Sequence, residues 1–179
     1  MKVITTIVLI VCLKGTIFDV LLVKPGPNYS VSGSGARKTG GDGCNAVVVS
    51  SAVFAGVDAV EWGVRIVNTQ YSSIMVGVAP SDIDQSVVNQ YNKSGWYLHL
   101  HNGCYHSGPP QNYRSVQTSP FSRVEAGETV RVRLDRTRKT LTFSVGGAAL
   151  APLYEDIPAG PLSPVVILCN ANDEIEFVC

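Results

Sequence analysis

The chain lacks net charge, a cysteine framework and any long apolar run. Its 179 residues contain 14 Lys plus Arg and 14 Asp plus Glu, so the formal net charge is zero. Without excess positive charge, the usual electrostatic attraction to nucleic acid or to an anionic membrane is missing. The five cysteines include no C-x-x-C pair, which argues against a structural zinc site. Their odd number and low density argue against a scaffold built on disulfides.

Catalytic signatures are missing as well. The sequence has no Gly-x-Ser-x-Gly elbow, and no glycine pattern follows a strand to open a nucleotide-binding helix. Nothing marks a pair of carboxylates that face each other across a cleft. The one histidine cluster, His99, His101 and His106, could offer nitrogens to a metal or to a hydrolase, but no acidic residue accompanies it. We therefore expect solvated or hydrogen-bonded histidines, no metal, no cofactor and no enzymatic activity.

The longest apolar run, residues 3–13, is too short to span a bilayer. It fits the hydrophobic region of a signal peptide, but its Val, Ile and Thr content fits an edge strand equally well. A signal peptide would imply a secreted product whose remaining cysteines can pair. We favour an intracellular, cytoplasmic protein in which Cys104 and Cys169 are reduced. No membrane contact is expected unless residues 1–16 act as an anchor or signal.

Strand periodicity dominates the rest of the chain. Residues 130–135 and 140–145 alternate apolar with polar residues on either side of a short polar link, which predicts a hairpin with one buried face. Gly146-Gly147 then supplies the positive φ angles of a second tight turn. The predicted core residues are Val130, Val132, Leu134, Leu141, Phe143 and Val145, together with Trp62, Val78 and Val165.

Further short apolar segments, separated by Gly- and Pro-rich turns, predict more strands, and no stretch shows helical spacing. This pattern is typical of an antiparallel sandwich or barrel. The Gly/Ser-rich residues 30–43 predict a long mobile loop. The additional strands are predicted over residues 17–23, 46–54, 59–67, 74–79, 96–100, 164–168 and 174–178.

From about residue 56 to 178 the chain resembles the SPRY (B30.2/SPRY) family. The similar blocks are an aromatic strand at 60–66, a glycine-centred VGVA strand at 75–79, and Gly-Trp-Tyr-Leu at 95–98 with a later Tyr-His-Ser-Gly turn. The most diagnostic block is 127–147, which resembles G-x-x-V-x-V-x-L-D … G-T-L-x-F-x-x-N-G. Gly63, Lys139 and Gly146 depart from the family pattern.

The resemblance implies an all-β fold, a bent antiparallel β-sandwich of two packed sheets. It divides the chain into an apolar N-terminal segment (1–16), loosely matching strands and a Gly/Ser-rich loop (17–55), and the sandwich core (56–179). It also implies a non-catalytic module that binds a protein or peptide through loops at one rim. Members of the family serve as adaptors and scaffolds, including substrate recognition in ubiquitin ligases.

The resemblance maps partner binding onto two loops, at residues 84–94 and 169–171. The candidate binding residues are Asp84, Tyr91, Asn92, Cys169, Asn170 and Ala171. Members that bind Asn-rich peptides use a Tyr and a Val-Trp-Gly at positions near Asp84 and at 169–171, so we expect the same surface with a different ligand. Asp84 favours a ligand with a basic group. We expect the loops at 28–34, 84–94 and 169–172 to converge at one rim.

A lectin-like sandwich that binds carbohydrate is the second interpretation of the loops. Sugars stack on aromatic faces, and the sequence offers Trp96, Tyr97, Tyr91 and Tyr113 for this purpose.

Overall fold

The computed structural model describes residues 10–13, 16–19, 21–41, 43–103, 105–107, 123–149 and 154–178. Within these residues the chain forms strands and a three-residue 3₁₀ helix at Gln90–Asn92. The strands are β1 (Ile10–Leu13), β2 (Thr16–Asp19), β3 (Tyr29–Ser32), β4 (Gly35–Lys38), β5 (Ala46–Val49), β6 (Ala59–Asn68), β7 (Ile74–Pro80), β8 (Trp96–His99), β9 (Tyr105–Ser107), β10 (Thr129–Asp135), β11 (Thr140–Val145), β12 (Ala148–Ala149), β13 (Leu162–Leu168) and β14 (Glu174–Val178).

Two antiparallel sheets make the sandwich, which confirms the predicted fold class. One sheet has seven strands in the order β12-β11-β10-β6-β14-β4-β3, and the other has five in the order β5-β13-β7-β8-β9. Strands β1 and β2 pair with each other as a separate ribbon. In the described part of the chain, no helix is both long and apolar enough to cross a membrane.

The β10–β11 hairpin lies where the alternation predicted it. Val132 is opposite Phe143, and both are buried in the core between the sheets. The outward-facing Arg131 and Arg133 are exposed and lie near Glu61 and Asp135 at 3.9 Å and 3.7 Å. The hairpin therefore has one buried and one solvated face, and its exposed ion pairs contribute little to stability.

The two turns around β11 use residues with positive φ. Lys139 stands at the position where the SPRY pattern has glycine, and it still adopts a φ of 56°. The Asp135 carboxylate accepts a hydrogen bond from the Arg138 amide at 2.9 Å and so fixes this turn. Gly146 and Gly147 have φ values of 58° and 82°, as predicted for the tight turn that follows.

Strands β5, β7 and β13 of the five-stranded sheet are buried on both faces. Along β13, Val166 and Leu168 point into the core between the sheets, whereas Val165 and Ile167 pack into a second apolar cluster on the outer face. Strands β5 and β7 alternate between the two clusters in the same way. All the predicted core residues are buried, and Val165 belongs to the outer cluster. A cover must therefore lie over the outer face.

The prediction of a mobile loop over residues 30–43 is wrong, because most of these residues form a hairpin. Strand β3 pairs with β4, and β4 pairs with β14 at the edge of the seven-stranded sheet. Ser and Gly are weak strand formers, so local propensity pointed to a loop, but pairing with β14 decides the outcome. Ala36 and Lys38 both point inward and are buried.

The chain before β3 closes the side of the sandwich. The strand predicted over 17–23 is observed as Thr16–Asp19, followed by an isolated bridge from Val23 to Ser50. The Val23 amide donates to Gly33 O at 3.3 Å, and the Lys24 amide donates to Val49 O at 2.8 Å. This segment thus links the β3–β4 hairpin of one sheet to the β5 edge of the other.

Phe143→Ala should lower the free energy of unfolding by about 3–5 kcal/mol, because it leaves a cavity between the sheets. Urea unfolding followed by tryptophan fluorescence measures the change. Thr142→Ala, on the half-exposed face of the same strand, is the control and should change stability by about 0.5 kcal/mol or less. A loss below about 1 kcal/mol for Phe143→Ala would contradict its core position.

Gly77 marks the closest approach of β7 and β8. A Cβ built on Gly77 would lie 1.8 Å from the backbone oxygen of Trp96. Because that neighbour is backbone, no side-chain rotation can relieve the overlap. The glycine of the VGVA block is therefore required by strand packing.

Gly77→Ala should cost at least about 3 kcal/mol, since β7 and β8 must separate to admit the methyl group. Gly40→Ala is the matched control, because a Cβ there meets no atom within 4 Å. We expect the control to stay within about 0.5 kcal/mol of the wild type in thermal or urea unfolding. Equal stability of the two variants would refute the close approach.

Candidate functional site

The chain between β7 and β8 forms the cover over the five-stranded sheet. Ile83 and Tyr91 pack against the outer apolar cluster. The Gln85 side-chain amide donates to Val47 O at 2.9 Å and also to the Tyr29 hydroxyl. Burial raises the pKa of Tyr29 to about 12, so its phenol stays neutral at physiological pH. These contacts hold Tyr91 against the sheet instead of leaving it on a free loop.

The second predicted loop is a tight turn between β13 and β14. The Asp173 carboxylate accepts hydrogen bonds from the backbone amides of Cys169 and Asn170 at 3.3 Å and 2.8 Å. Its other oxygen accepts from the Thr69 hydroxyl at 3.0 Å. Burial raises the pKa of Asp173, and these hydrogen bonds together with the charge of Lys38 oppose that rise. The turn is thus organised around one buried acid.

Lys38 ties this turn to the opposite wall. Its side chain is buried, and Nζ donates to Cys169 O at 2.7 Å and to Gly43 O at 2.5 Å. The Lys38 carbonyl also accepts from the Asn172 amide at 3.3 Å. A buried ammonium needs such acceptors to offset its desolvation. Lys38 therefore bridges the segment before β5 and the turn after β13.

A disulfide joins the same two segments. Cys44 is bonded to Cys169, with their Cα atoms 3.8 Å apart. The expectation that Cys169 carries a reduced, unpaired thiol is therefore wrong. The error has a physical reason, because the pairing of cysteines 125 residues apart depends on strand order and cannot be read from spacing. Cys104, the other cysteine expected to be reduced, lies outside the described residues.

These walls enclose an open cleft of about 330 Å³ at one end of the five-stranded sheet. Its lining combines an aromatic ring, a thioether, amides, an imidazole and the disulfide. Within the described part of the chain, the buried side-chain nitrogen of Asn170 has no hydrogen-bond partner. The lining residues are Gly43, Cys44, Ser73, Met75, Tyr91, His99, Asn102, Cys169 and Asn170.

The structure brings together three of the six predicted binding residues, since Tyr91, Cys169 and Asn170 all line the cleft. Asn92 and Ala171 are exposed next to them in sequence. Asp84 is exposed at the far end of the covering loop and is not part of the lining. Hydrogen bonds donated by the Ser86 hydroxyl and amide lower the pKa of Asp84, so its carboxylate is ionised at neutral pH.

The three loops expected at one rim meet only in part. The Asn89 amide donates to Cys44 O at 3.1 Å, which brings the second loop to the disulfide. The Asn28 side chain donates to Asn45 O at 3.1 Å on the same side. The turn at Gly33 lies at the other end of the β3–β4 hairpin, because Ser32 pairs with Gly35 there.

Sequence reasoning missed several cleft residues. Met75, His99 and Asn102 enter because β7 and β8 are neighbours whose ends meet at this edge. The available signal was the order of the VGVA strand (β7) and the following Trp-Tyr-Leu strand (β8), which pair antiparallel. No sequence pattern pointed to Cys44 or Lys38. The role of Cys44 depends on the disulfide, and Lys38 lies in the segment predicted as a loop.

The aromatic residues considered for sugar stacking do not form one platform. Tyr97 is fully buried, Trp96 lines a second cleft of about 420 Å³ with Pro80 and Pro161, and Tyr113 lies outside the described residues. Tyr91 is the member of the set that lines the first cleft. The carbohydrate interpretation therefore gains no support from their positions.

The structure describes the side chains of two of the three histidines, His99 and His101. The Nδ1 atom of His101 is 2.8 Å from Tyr71 O, and its ring centre is 6.1 Å from that of His99. His106 lies in β9, where the structure describes the backbone only. In the described ranges, no group of three or more His, Cys, Asp or Glu side chains is arranged to hold a metal.

Lys38→Met should lower the free energy of unfolding by at least about 2 kcal/mol, because it leaves the carbonyls of Cys169 and Gly43 without their donor. In a double-mutant cycle, the variant that carries both Lys38→Met and Asp173→Asn should lose less free energy of unfolding than the two single variants lose together. We expect the difference to be at least about 1 kcal/mol. The matched control is the neighbouring, exposed Arg37, which donates to the Asn172 side chain at 2.9 Å. Arg37→Met should cost about 1 kcal/mol or less. Additive losses would show that the pair does not couple.

Comparison with known proteins agrees with this architecture. Residues 59–179 match the family model described as SPRY domain. F-box/SPRY domain-containing protein 1 of Drosophila mojavensis is 33% identical over 85 residues, which cover 47% of this chain and 32% of that protein. The chain thus matches about a third of the length of that curated relative.

Three solved structures share the fold. The SPRY domain of human HERC1 superposes with a TM-score of 0.67 at 18% identity, covering 81% of this chain and 87% of that one. A human SPRY domain superposes with a TM-score of 0.60 at 16% identity, covering 87% of this chain and 96% of that one. The TRIM65 PSpry domain superposes with a TM-score of 0.63 at 18% identity, covering 89% of each chain.

SPRY domains generally serve as non-catalytic protein-interaction modules. The family model matches more than half of the chain, and the two sheets, the β10–β11 hairpin and the required glycine of β7 all agree with that match. The chain belongs to the SPRY domain family.

Proposed function

We propose that this chain is a non-catalytic recognition module whose cleft binds an extended peptide segment of a partner protein. The observation that carries the proposal is the convergence of Tyr91, Cys169 and Asn170 on one cleft of about 330 Å³. A cleft of this size accepts one or two side chains rather than a whole protein surface.

The chemistry of the lining favours a peptide. The side-chain nitrogen of Asn170 is a buried donor without a partner among the described residues. Turned toward the cleft, it can donate to the commonest acceptor of an extended peptide, the backbone carbonyl. Tyr91 and Met75 offer an aromatic face and a flexible thioether to an apolar side chain next to that carbonyl. Together they recognise one peptide unit and its side chain.

Residues at the rim extend this recognition. Asn92 and Ala171 are exposed beside the cleft, where they contact the flanking part of the ligand. The ionised Asp84, outside the cleft on the same covering loop, favours a basic residue farther along the ligand.

The cleft offers no nucleophile of its own among its cysteines, because both sulfurs are consumed in the disulfide. The amides and the phenol of the lining are hydrogen-bonding groups suited to binding. This composition supports the assignment as a module without catalytic activity.

An adaptor role in ubiquitin ligation is the wider setting that we propose. The relative from Drosophila mojavensis carries F-box and SPRY in its name. By analogy, the cleft would select the protein that such a ligase modifies, with the other ligase parts supplied by a different polypeptide or by further sequence.

Display of a random peptide library against the immobilised protein tests the proposal. We expect enrichment of peptides with an apolar residue and a basic residue at fixed spacing. Tyr91→Ala and Asn170→Ala should each weaken a selected peptide by at least about tenfold in fluorescence polarisation, as hot-spot truncations do.

Arg131→Ala is the control, since Arg131 lies on the outer face of the seven-stranded sheet near Glu61. It should change the affinity by less than about twofold, as expected for a residue outside the interface. If Arg131→Ala weakens binding more than tenfold and the cleft variants do not, the sheet face is the binding surface. Binding on a glycan array without any selected peptide would favour the lectin interpretation instead.

A further inference from the structure

The disulfide lies in the wall of the cleft, just beyond the paired part of two neighbouring strands. Ala46 and Leu168 form the last register pair of β5 and β13, with Cys169 directly after Leu168 and Cys44 two residues before Ala46. The sheet already holds the two strands together by hydrogen bonds and two-sided burial. The covalent bond therefore acts mainly on the segments that line the cleft.

The two walls joined by the bond are held very differently. The turn after β13 is held from within, because Asp173 accepts hydrogen bonds from two of its amides and the Asp173 amide donates back to Asn170 O at 3.1 Å. The segment before β5 has glycines with φ of 74° and 69° at positions 41 and 43. Besides one internal bond, from the Asn45 amide to Gly43 O at 3.0 Å, it is anchored by contacts to other elements, such as the bond from Lys38 to Gly43 O. Opening the disulfide thus loosens the glycine-rich wall first.

That wall positions the aromatic residue of the cleft. The Cys44 carbonyl accepts a hydrogen bond from the Asn89 amide at 3.1 Å. Asn89 has a φ of 56° and directly precedes the 3₁₀ helix that carries Tyr91. A continuous path of bonds therefore runs from the disulfide through Cys44 and Asn89 to Tyr91.

We propose that the Cys44–Cys169 disulfide is a redox latch that sets the shape of the cleft, which is rigid and competent when the bond is oxidised and loosened when it is reduced. This inference rests on the proposed function for the cleft but concerns its regulation. Asn170 stands on one of the two walls that the bond joins, and Tyr91 is tied to the other wall through the bond from the Asn89 amide to Cys44 O. The latch therefore preorganises the two ligand-binding residues relative to each other.

The reaction is an ordinary exchange with a dithiol reductant. A thiolate of the reductant attacks the sulfur of Cys44, the less buried of the two cysteines, and the Cys169 sulfur leaves as a thiolate that takes up a proton. The second thiol of the reductant then attacks the mixed disulfide and releases Cys44. Two electrons reduce the protein, and the reductant ends as a disulfide.

Hydrogen exchange of the full chain in its oxidised and dithiothreitol-reduced forms tests the latch without any ligand. Peptide mapping after alkylation first assigns the Cys44–Cys169 bond. On reduction, the Asn89 amide should exchange at least about tenfold faster, as expected when a local anchor opens. The amides of Cys169 and Asn170 should change less, and those of β10 and β11 should not change.

The double variant C44S/C169S is the matched control. Its Asn89 amide should exchange at the rate of the reduced wild type, and dithiothreitol should have no effect on it. An Asn89 rate that does not respond to reduction overturns the latch. An equal rise at every amide, β10 and β11 included, also overturns it, because the bond would then stabilise the whole fold.

Binding separates this inference from the proposed function. A displayed peptide selected against the oxidised protein should bind the reduced form at least about tenfold more weakly, as loss of preorganisation predicts. Equal affinity for both forms overturns the regulatory role, even if the cleft binds. If the exchange rates respond as expected but no peptide is ever selected, the latch stands and the proposed function fails.

Discussion

The two-sided burial of β13 is the constraint on which the rest of the structure depends. Every residue of Leu162–Leu168 is buried, with alternate side chains in the core between the sheets and in the outer cluster. The outer side chains must be covered, and the chain between β7 and β8 covers them with Ile83 and Tyr91. A segment pinned in this way cannot swing freely. The position of Tyr91 at the cleft is thus a consequence of core packing.

The same constraint explains the buried polar groups under the cleft. Where β13 ends, its last carbonyls and the amides of the following turn leave the sheet while they are still shielded from water. Asp173 supplies the acceptor for the amides, and Lys38 supplies the donor for the carbonyl of Cys169. A buried charge is costly unless its surroundings offset the desolvation, and the hydrogen bonds to Asp173, followed by the charge of Lys38, oppose that cost here. The cleft is therefore lined by a turn with little freedom to rearrange.

Sequence pattern predicted the parts of the fold that alternation controls. The β10–β11 hairpin, its buried residues and its following turn were all readable, since one face is apolar and the other charged. The β3–β4 hairpin was not readable, because its Ser and Gly residues have weak strand preference and pairing with β14 supplies the stability. In the candidate site, Tyr91 and Asn170 were reachable through family resemblance. Cys44, Met75 and His99 depended on strand order, which spacing does not reveal.

The two ends of the five-stranded sheet differ in a way that bears on recognition. At one end, Trp96 and several prolines line a mainly apolar cleft. The 158–160 segment of this cleft is fixed by the Arg136 guanidinium, which donates to Pro158 O and Gly160 O. At the other end, the disulfide and the bond from the buried Lys38 to Cys169 O hold walls that bring the Asn170 amide and the Tyr91 ring into one lining. Apolar contact alone discriminates weakly between partners, whereas an unpaired donor rejects any ligand that cannot satisfy it. We therefore expect selectivity for the partner at the end of the sheet that carries the polar groups. Among the described residues, the disulfide is the one covalent cross-link that acts on this end.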